Sequence, residues 1–256
     1  MPYVQSSGAR IHYRVEGAGP PIVMVHGFSD SLVDWYEAGY VDVLRNDYRL
    51  VMVDCRGHGL SDRPHAQEAY TMEMRVADVH VVMDELEIDA AYFWGYSMGG
   101  RIGFGVVECA PERILGMIMA GIDQHGTSPR QFENRIRFLS KGIERYLEGF
   151  ENRFGRMEPV SKRERFLEND CLAMVASSFG IRDHVRDYSD IASRMTMPCL
   201  FYDGDQDAFH DNARNFVETL PDAKFVSLQG QDHGGTFTRS DLVVPLVREY
   251  LSGTSY

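Results

Sequence analysis

The stretch that decides the fold is AYFWGYSMGG, residues 91–100. Its first half is a short apolar run rich in aromatic residues, which is typical of a strand buried on both faces. The second half, Gly95-Tyr96-Ser97-Met98-Gly99, matches the G-x-S-x-G pattern, in which a serine occupies a sharp strand-to-helix turn. The glycines allow the turn, and the helix that follows aims its amides at the space above the serine hydroxyl. The stretch therefore predicts a strand, a nucleophilic Ser97 and a helix.

Outward from this stretch, short apolar runs alternate with segments of helical period. Residues 71–87 carry apolar side chains at helical spacing behind Thr71, which suits an N-cap. Such alternation is typical of parallel strands joined by crossover helices. We therefore predict an α/β fold with a mostly parallel central sheet and helices on both faces. The predicted strands are residues 22–25, 50–53, 91–94, 114–120, 199–202 and 225–228, and a further helix is predicted over 211–219.

Residues 124–196 interrupt the alternation and differ from both flanks in charge. They contain 13 Lys and Arg against 11 Asp and Glu, a net +2, whereas the rest of the chain has 13 against 27, or −14. Ser161 and Glu164 have the spacing of a helix capping box. We interpret the segment as a small all-helical insertion on the sheet.

Within this insertion, the sequence predicts one long amphipathic helix. Ser128 and a following proline suit an N-cap and first helical position, and apolar residues then recur at intervals of three and four over residues 132–154. The helix is expected to bend near Gly142 or Gly149.

A serine hydroxyl needs a histidine base, and the histidine needs a carboxylate to orient it. Of nine histidines, His233 is the best candidate because it follows a predicted strand in a glycine-rich loop without apolar period. The acid is expected at a strand end between Ser97 and His233. Asp207 is preferred, and Asp123, after the strand at 114–120, is the rival. Two neighbouring acids are expected to be turn residues, Asp203 and Asp205.

An oxyanion hole needs two backbone amides. One is expected from Met98, directly after the nucleophile. The other is expected from Phe28, where the strand at 22–25 ends and Gly27 lets the backbone approach a substrate.

Together these segments resemble the α/β-hydrolase superfamily along nearly the whole chain, in its serine-nucleophile branch with a helical cap. Beside the elbow, the matching motifs are His-Gly-Phe at 26–28 with Trp35 downstream, Asp-x-Arg-Gly-His-Gly-x-Ser at 54–61, and the order Ser97, Asp207, His233. One departure is Asp232 before the histidine, where the family more often has glycine.

The resemblance implies a core domain of residues 1–123 and 197–256, with residues 124–196 as a cap inserted after the sixth strand. It also implies that residues 54–61 form a structural turn near the site. In the cap, part of the apolar stripe either packs on the main domain or roofs an acyl pocket. The residues expected to contact substrate are Leu139, Ile143 and Leu147.

The activity implied is that of an esterase-, lactonase- or haloperoxidase-like serine hydrolase. The simplest form cleaves a small carboxylic ester or lactone through an acyl-enzyme. The resemblance leaves open carbon–carbon bond hydrolysis, cofactor-free haloperoxidase or perhydrolase chemistry, hydroxynitrile lyase chemistry, and a slow-turnover ligand receptor or signalling protein. A serine at position 97 argues against the dehalogenase and epoxide-hydrolase branches, which use aspartate there. No metal or organic cofactor is expected, because the histidines and cysteines lack ligand spacing.

Composition limits the partners. The net charge of −12 would repel nucleic acid and an anionic membrane surface, so we expect a small-molecule substrate and leave the oligomeric state open. No apolar run approaches the roughly 20 residues of a membrane span, and no signal peptide is expected. The four cysteines lie far apart, and we interpret them as buried reduced thiols of a cytoplasmic protein.

Overall fold

The computed structural model describes residues 2–154, 157, 159–183 and 186–253, and in that part of the chain eight strands form one sheet. The strands are β1 (Tyr3–Ser6), β2 (Ala9–Glu16), β3 (Pro21–Val25), β4 (Arg49–Val53), β5 (Ala91–Tyr96), β6 (Ile114–Ala120), β7 (Cys199–Gly204) and β8 (Ala223–Leu228). Their order is β1-β2-β4-β3-β5-β6-β7-β8. The pairs β1–β2 and β2–β4 are antiparallel, and the other pairs are parallel. This confirms the predicted α/β fold.

Helices pack on both faces of the sheet. Those outside the insertion are α1 (Val33–Glu37), α2 (Tyr40–Leu44), α3 (Met72–Glu85), α4 (Met98–Cys109), α9 (His210–Val217), α10 (His233–Thr238) and α11 (Ser240–Gly253). Thr71 caps α3 by accepting from the Met74 amide, as predicted. None of the helices in the described ranges combines the length and apolarity that crossing a bilayer requires.

Alternation along the strands divides the core into two apolar layers. In β3, Val23 and Val25 join the layer that packs against α3, α4 and α9, whereas Ile22 and Met24 join the layer that packs against α1, α2 and α11. Because β3 and β5 to β8 run parallel, their carboxyl ends meet at one edge of the sheet. Ligands of open α/β sheets bind at this edge.

The predicted long helix of the insertion is wrong. The structure has two helices instead, α5 (Pro129–Leu139) and α6 (Ile143–Phe154), and the side chain of Phe154 lies outside the described residues. The chain breaks at Gly142, whose φ of +106° is incompatible with a continuing helix. The predicted N-cap is present, because Ser128 accepts from the Gln131 amide and forms a capping box with that residue.

The predicted capping box of Ser161 and Glu164 is also wrong. Two further helices follow, α7 (Val160–Leu167) and α8 (Cys171–Asp183). Ser161 already lies inside α7, and its hydroxyl donates to Glu37 Oε1 at 2.8 Å. The hydroxyl therefore bonds to Glu37 of α1 rather than to its own helix end.

All four cysteines are free thiols. Cys55 and Cys199 are buried as expected, but Cys109 is exposed and Cys171 is half-buried. The expectation of buried thiols therefore holds for two of the four.

Candidate active site

Ser97 lies in a strained turn between β5 and α4. Its φ of 52° and ψ of −110° are values that a residue with a side chain rarely adopts. The Ser97 amide donates to Ala120 O at 2.8 Å, which holds the turn against β6. Position 99 requires glycine, because a Cβ on Gly99 would stand 2.0 Å from the Val25 carbonyl oxygen. The turn has the form that the G-x-S-x-G pattern predicts.

The structure brings together the three side chains that the sequence analysis selects. His233 Nε2 lies 3.1 Å from Ser97 Oγ, and His233 Nδ1 lies 2.7 Å from Asp207 Oδ2. A neutral imidazole that donates from Nδ1 to the carboxylate leaves Nε2 free to accept the serine proton. The side chain of Asp207 is 1% exposed and that of His233 is 33% exposed. Burial therefore fixes the carboxylate, while a substrate can reach the imidazole.

Local contacts hold His233 in place. Asp232 caps α10 by accepting from the Gly235 amide at 2.8 Å, so the residue that departs from the family pattern has a structural use here. The Tyr96 hydroxyl donates to His233 O at 2.7 Å. The Tyr96 and Phe209 rings flank the imidazole, with centroids at 5.2 and 5.6 Å. Both the backbone and the ring of His233 are therefore positioned by neighbours.

The rival acid, Asp123, has other partners. Its Oδ1 accepts from the Gly126 amide at 2.5 Å, and its Oδ2 accepts from Asn212 Nδ2 at 2.8 Å. Its carboxylate is thus used to join loops, while His233 forms its hydrogen bond with Asp207.

The expectation that Asp203 is a turn residue is wrong, whereas Asp205 behaves as expected. Asp203 belongs to β7, and its buried carboxyl accepts from the Gly121 amide. Burial, with Asp207 nearby, raises the pKa of Asp203 well above its usual value. Asp205 follows the strand and accepts from the Gly230 amide at 2.9 Å, which joins two loops.

The two amides expected in an oxyanion hole belong to Phe28, after β3, and Met98, the first residue of α4. A first helical residue has no intrahelical acceptor for its amide. In the part of the chain that the structure describes, neither amide donates to a protein acceptor. Both are therefore candidates to bind a substrate oxygen.

Residues 54–61 have the structural role that the resemblance implies. Asp54 accepts from the Leu32 amide at 2.7 Å. Arg56 donates to both oxygens of Asp78 at 2.7 and 2.6 Å, and these side chains are buried. The segment ties the loop after β4 to α3 and to the loop before α1.

Leu139, Ile143 and Leu147 are buried together, in an apolar cluster against which Phe28 packs. The other buried members of this cluster are Met157, Phe166 and Met174. A cavity of about 190 Å³ lies beside it, between α7 and the loop after β3; Phe166 lines this cavity, but the three predicted residues and Ser97 do not. Contact of Leu139, Ile143 and Leu147 with substrate remains a prediction.

Sequence reasoning missed the ion pairs that join α7 to the core. Lys162 Nζ lies 3.1 Å from Asp30 Oδ1 and 3.3 Å from Asp34 Oδ1. Arg165 pairs with Glu37 at 2.6 Å. We call these five residues the ion-pair bridge. The only sequence signal for it is the opposite charge of the insertion and the rest of the chain, because the partners lie more than 120 positions apart.

Burial alone would raise the pKa of both aspartates of the ion-pair bridge. For Asp30 the pKa is raised, because the effect of burial is larger than the opposing effect of the Lys162 charge. For Asp34 the pKa is lowered: Lys162, the Ser31 amide and Arg165 together outweigh burial. Asp34 is therefore the more firmly ionised partner.

Comparison with known proteins identifies the family. A family model described as the alpha/beta hydrolase fold matches residues 20–173, more than half of the chain. The chain belongs to the α/β-hydrolase fold family.

Individual relatives differ in their named activities. An enol-lactonase from Burkholderia xenovorans LB400 is 25% identical, with a TM-score of 0.86 over 98% of this chain and 100% of that one. A putative non-heme chloroperoxidase from Synechocystis sp. is 26% identical over 98% of this chain and 100% of its own length. Epoxide hydrolase 4 from Mus musculus is 31% identical over 45% of this chain, but the match spans only 32% of the mouse protein.

Proposed function

We propose that the protein is a serine hydrolase that cleaves a small carboxylic ester or lactone through an acyl-enzyme. The observation that carries the proposal is the chain of contacts from Ser97 Oγ to His233 Nε2 at 3.1 Å and from His233 Nδ1 to Asp207 at 2.7 Å. These groups stand at the edge of the sheet where α/β proteins bind ligands. The match to an enol-lactonase over 98% of this chain supports the same class of reaction.

In the first half of the reaction, Ser97 Oγ forms a bond to the substrate carbonyl carbon and its proton passes to His233 Nε2. Asp207 stabilises the imidazolium that results. The Phe28 and Met98 amides bind the oxyanion of the tetrahedral intermediate. When this intermediate collapses, the ester C–O bond breaks and the leaving oxygen takes the proton from His233, which leaves an acyl-Ser97.

The second half repeats these steps with water. His233 takes a proton from the water, whose oxygen attacks the acyl carbon, and Ser97 leaves with that proton as the free hydroxyl. The triad therefore returns to its first state, and neither metal nor organic cofactor enters the cycle.

We further propose that residues 124–196 form a cap that selects the substrate, over a core of residues 1–123 and 197–256. The contact between Phe28 and the apolar cluster of Leu139, Ile143 and Leu147 supports this, since Phe28 also supplies a proposed oxyanion amide. The free state of all four cysteines fits a cytoplasmic location.

A second candidate is perhydrolysis, favoured by similarity to the putative chloroperoxidase over 98% of this chain and 100% of that protein. Here hydrogen peroxide replaces water, attacks the acyl-Ser97 and leaves as a peracid, which oxidises halide in solution. The same triad serves both reactions, so the ratio of peracid to acid produced from one ester distinguishes them.

The test is ester turnover and covalent labelling by a fluorophosphonate. The wild-type protein should hydrolyse short-chain esters over many turnovers and should be labelled at Ser97. Ser97→Ala should lose both, with a fall in kcat on the order of a thousandfold or more and no loss of fold. Near-normal turnover by Ser97→Ala would overturn the mechanism. A single slow acylation without turnover would favour a receptor instead.

A further inference from the structure

A cationic and aromatic cluster from the insertion lies against the proposed oxyanion loop. Arg135 of α5 places its guanidinium carbon 4.3 Å from the centroid of the Phe28 ring and 5.3 Å from that of Phe132. Tyr146 of α6 packs, like Phe28, against the apolar cluster of the insertion and stacks on Phe166, with centroids 5.7 Å apart and planes at 16°. We call Arg135, Phe132, Tyr146 and Phe166 the Arg135 cluster.

Arg135 differs from the other arginines of the insertion in its partners. Several of those form ion pairs with carboxylates: Arg145 with Glu148, Arg163 with Glu151, Arg165 with Glu37, Arg182 with Asp183 and Arg186 with Glu108. Among the described residues no carboxylate pairs with Arg135, whose contacts are aromatic. Asp30, which follows Phe28 by two residues, is paired with Lys162, whose Nζ lies 3.1 Å from its carboxylate. Within the described part of the chain, the positive charge of Arg135 therefore has no carboxylate partner.

Phe28 connects this charge to the proposed chemistry. Its amide is a proposed oxyanion donor, and its ring is the surface on which the Arg135 guanidinium lies. The loop that holds Phe28 directly adjoins the serine turn, because a Cβ on Gly99 would stand 2.0 Å from Val25 O and 3.0 Å from His26 O. A substrate whose carbonyl oxygen reaches the Phe28 amide would therefore lie next to the residue whose ring carries the Arg135 guanidinium.

We propose that Arg135 binds a carboxylate of the substrate, so that the preferred substrate is an anionic ester or lactone, such as the monoester of a short dicarboxylic acid. Arginine suits this role because its planar guanidinium binds carboxylate through two parallel hydrogen bonds. The two aromatic rings beside the guanidinium lower the local dielectric on that side, which strengthens such a pair. This proposal rests on the proposed function, since it names the substrate class of the same site.

The net charge of the chain explains why an anionic substrate would need a local cation such as Arg135. The residues outside 124–196 carry a formal charge of −14, which would repel an anionic substrate, whereas the insertion carries +2. A local cation beside the site is then needed for an anion to be preferred over its neutral analogue.

The test compares esters that differ only in charge. Ethanol release would give kcat/KM for monoethyl glutarate and for diethyl glutarate, each measured with the wild type, Arg135→Gln and Arg135→Lys. Arg137→Gln is the matched control, because Arg137 is exposed on the same helix and bonds to Asn134. Monoethyl malonate and monoethyl adipate then show which spacing between the carboxylate and the ester suits the site.

The wild type should prefer the monoanion to the diester. Arg135→Gln should lower kcat/KM for the monoanion on the order of tenfold to a hundredfold, which is the range for a lost hydrogen bond to a charged group. The diester should change less than about twofold, Arg135→Lys should keep part of the preference, and Arg137→Gln should keep all of it. A wild type that prefers the diester, or an Arg135→Gln that lowers both substrates equally, would overturn the proposal.

A binding measurement separates this proposal from the proposed function. Glutarate should raise the Tm of Ser97→Ala but not that of Ser97→Ala combined with Arg135→Gln. If no ester is hydrolysed but this difference is seen, the proposed hydrolysis fails and the anion site stands. If esters are hydrolysed at Ser97 without any preference for the anion and without a Tm shift, the anion site fails and the hydrolase stands.

Discussion

The core and the helical insertion hold their charged residues in different ways. In the core, Arg56 and Asp78 form two hydrogen bonds with side chains only 1% and 5% exposed. At the boundary with the insertion, Arg165 and Glu37 are each 25% exposed. Exposed pairs contribute little and respond to salt, whereas breaking a buried pair is costly. The comparison teaches that the ion pair of the core is buried and costly to break, whereas the Arg165–Glu37 pair at the boundary is partly exposed and contributes less.

The largest effect is expected when a buried carboxylate of the core is replaced by an amide. Asp207→Asn should lower kcat for an activated ester by about 10⁴-fold, because an asparagine favours the wrong tautomer of His233. Asp123→Asn is the matched control, since Asp123 bonds to Gly126 and Asn212 instead, and it should change kcat less than about tenfold.

Circular dichroism should show both variants folded. If Asp123→Asn cost more activity than Asp207→Asn, the orienting acid would have to be reassigned to the end of β6.

The second test removes apolar volume from the insertion. Leu147→Ala should lower the free energy of unfolding by about 2 to 5 kcal/mol, since Leu147 is 1% exposed in its apolar cluster. Leu172→Ala in the same segment, where the leucine is 63% exposed, should have little effect. Urea unfolding measures both. Labelling of Ser97 by a small fluorophosphonate should keep nearly its normal rate in each.

The same variants address specificity. We expect at least one of Leu139→Ala, Ile143→Ala and Leu147→Ala to change the relative kcat/KM for esters of increasing chain length. If none does, the apolar stripe is a scaffold only and the substrate contacts of the insertion lie elsewhere, with the Arg135 cluster as the next place to examine.

The sequence predicts the core of the protein more accurately than the insertion, and the reason is physical. The strands around Ser97 are continuous apolar runs with turn residues at their ends, so local pattern and tertiary burial agree. In the insertion they disagree: the apolar period runs through Gly142, but the φ of +106° there divides the helix in two. Ser161 has the spacing of a cap, yet its hydroxyl finds Glu37, which is 124 positions away.

The groups that sequence reasoning missed depend on contacts between distant segments. Nothing in the pattern around Lys162 indicates that it reaches Asp30 and Asp34, and nothing around Arg135 indicates that it lies on Phe28. Only a charge count showed that the insertion and the core differ in sign. Local periodicity predicts helices and strands. It does not predict which long side chains meet between the insertion and the core, because those contacts depend on how the helices and strands pack together.

The smallest expected effect concerns the attachment of α7 to the core, and Glu37→Gln in the ion-pair bridge tests it. The hydrogen bond from Arg165 holds the pKa of Glu37 below its usual value. A carboxyl whose pKa is lower in the folded than in the unfolded protein stabilises the fold above its unfolded pKa, and this contribution is lost as the pH falls through the folded pKa. Glu37→Gln should therefore cost up to about 1 kcal/mol near pH 7, and nothing once the wild-type carboxyl is protonated in both states.

Urea unfolding near pH 7 and near pH 3, with and without about 0.5 M salt, measures this difference, and salt should shrink it at the higher pH. Glu148→Gln is the control, because the Arg145–Glu148 pair lies within α6 and joins nothing to the core. If the bridge fastens the insertion, only Glu37→Gln should also speed proteolysis of residues 124–196 in the native protein, since the population of locally open states governs cleavage. Equal proteolysis of the two variants would mean that the partly exposed Arg165–Glu37 pair has no part in holding the insertion, and that the apolar cluster and the Lys162 pairs hold it instead.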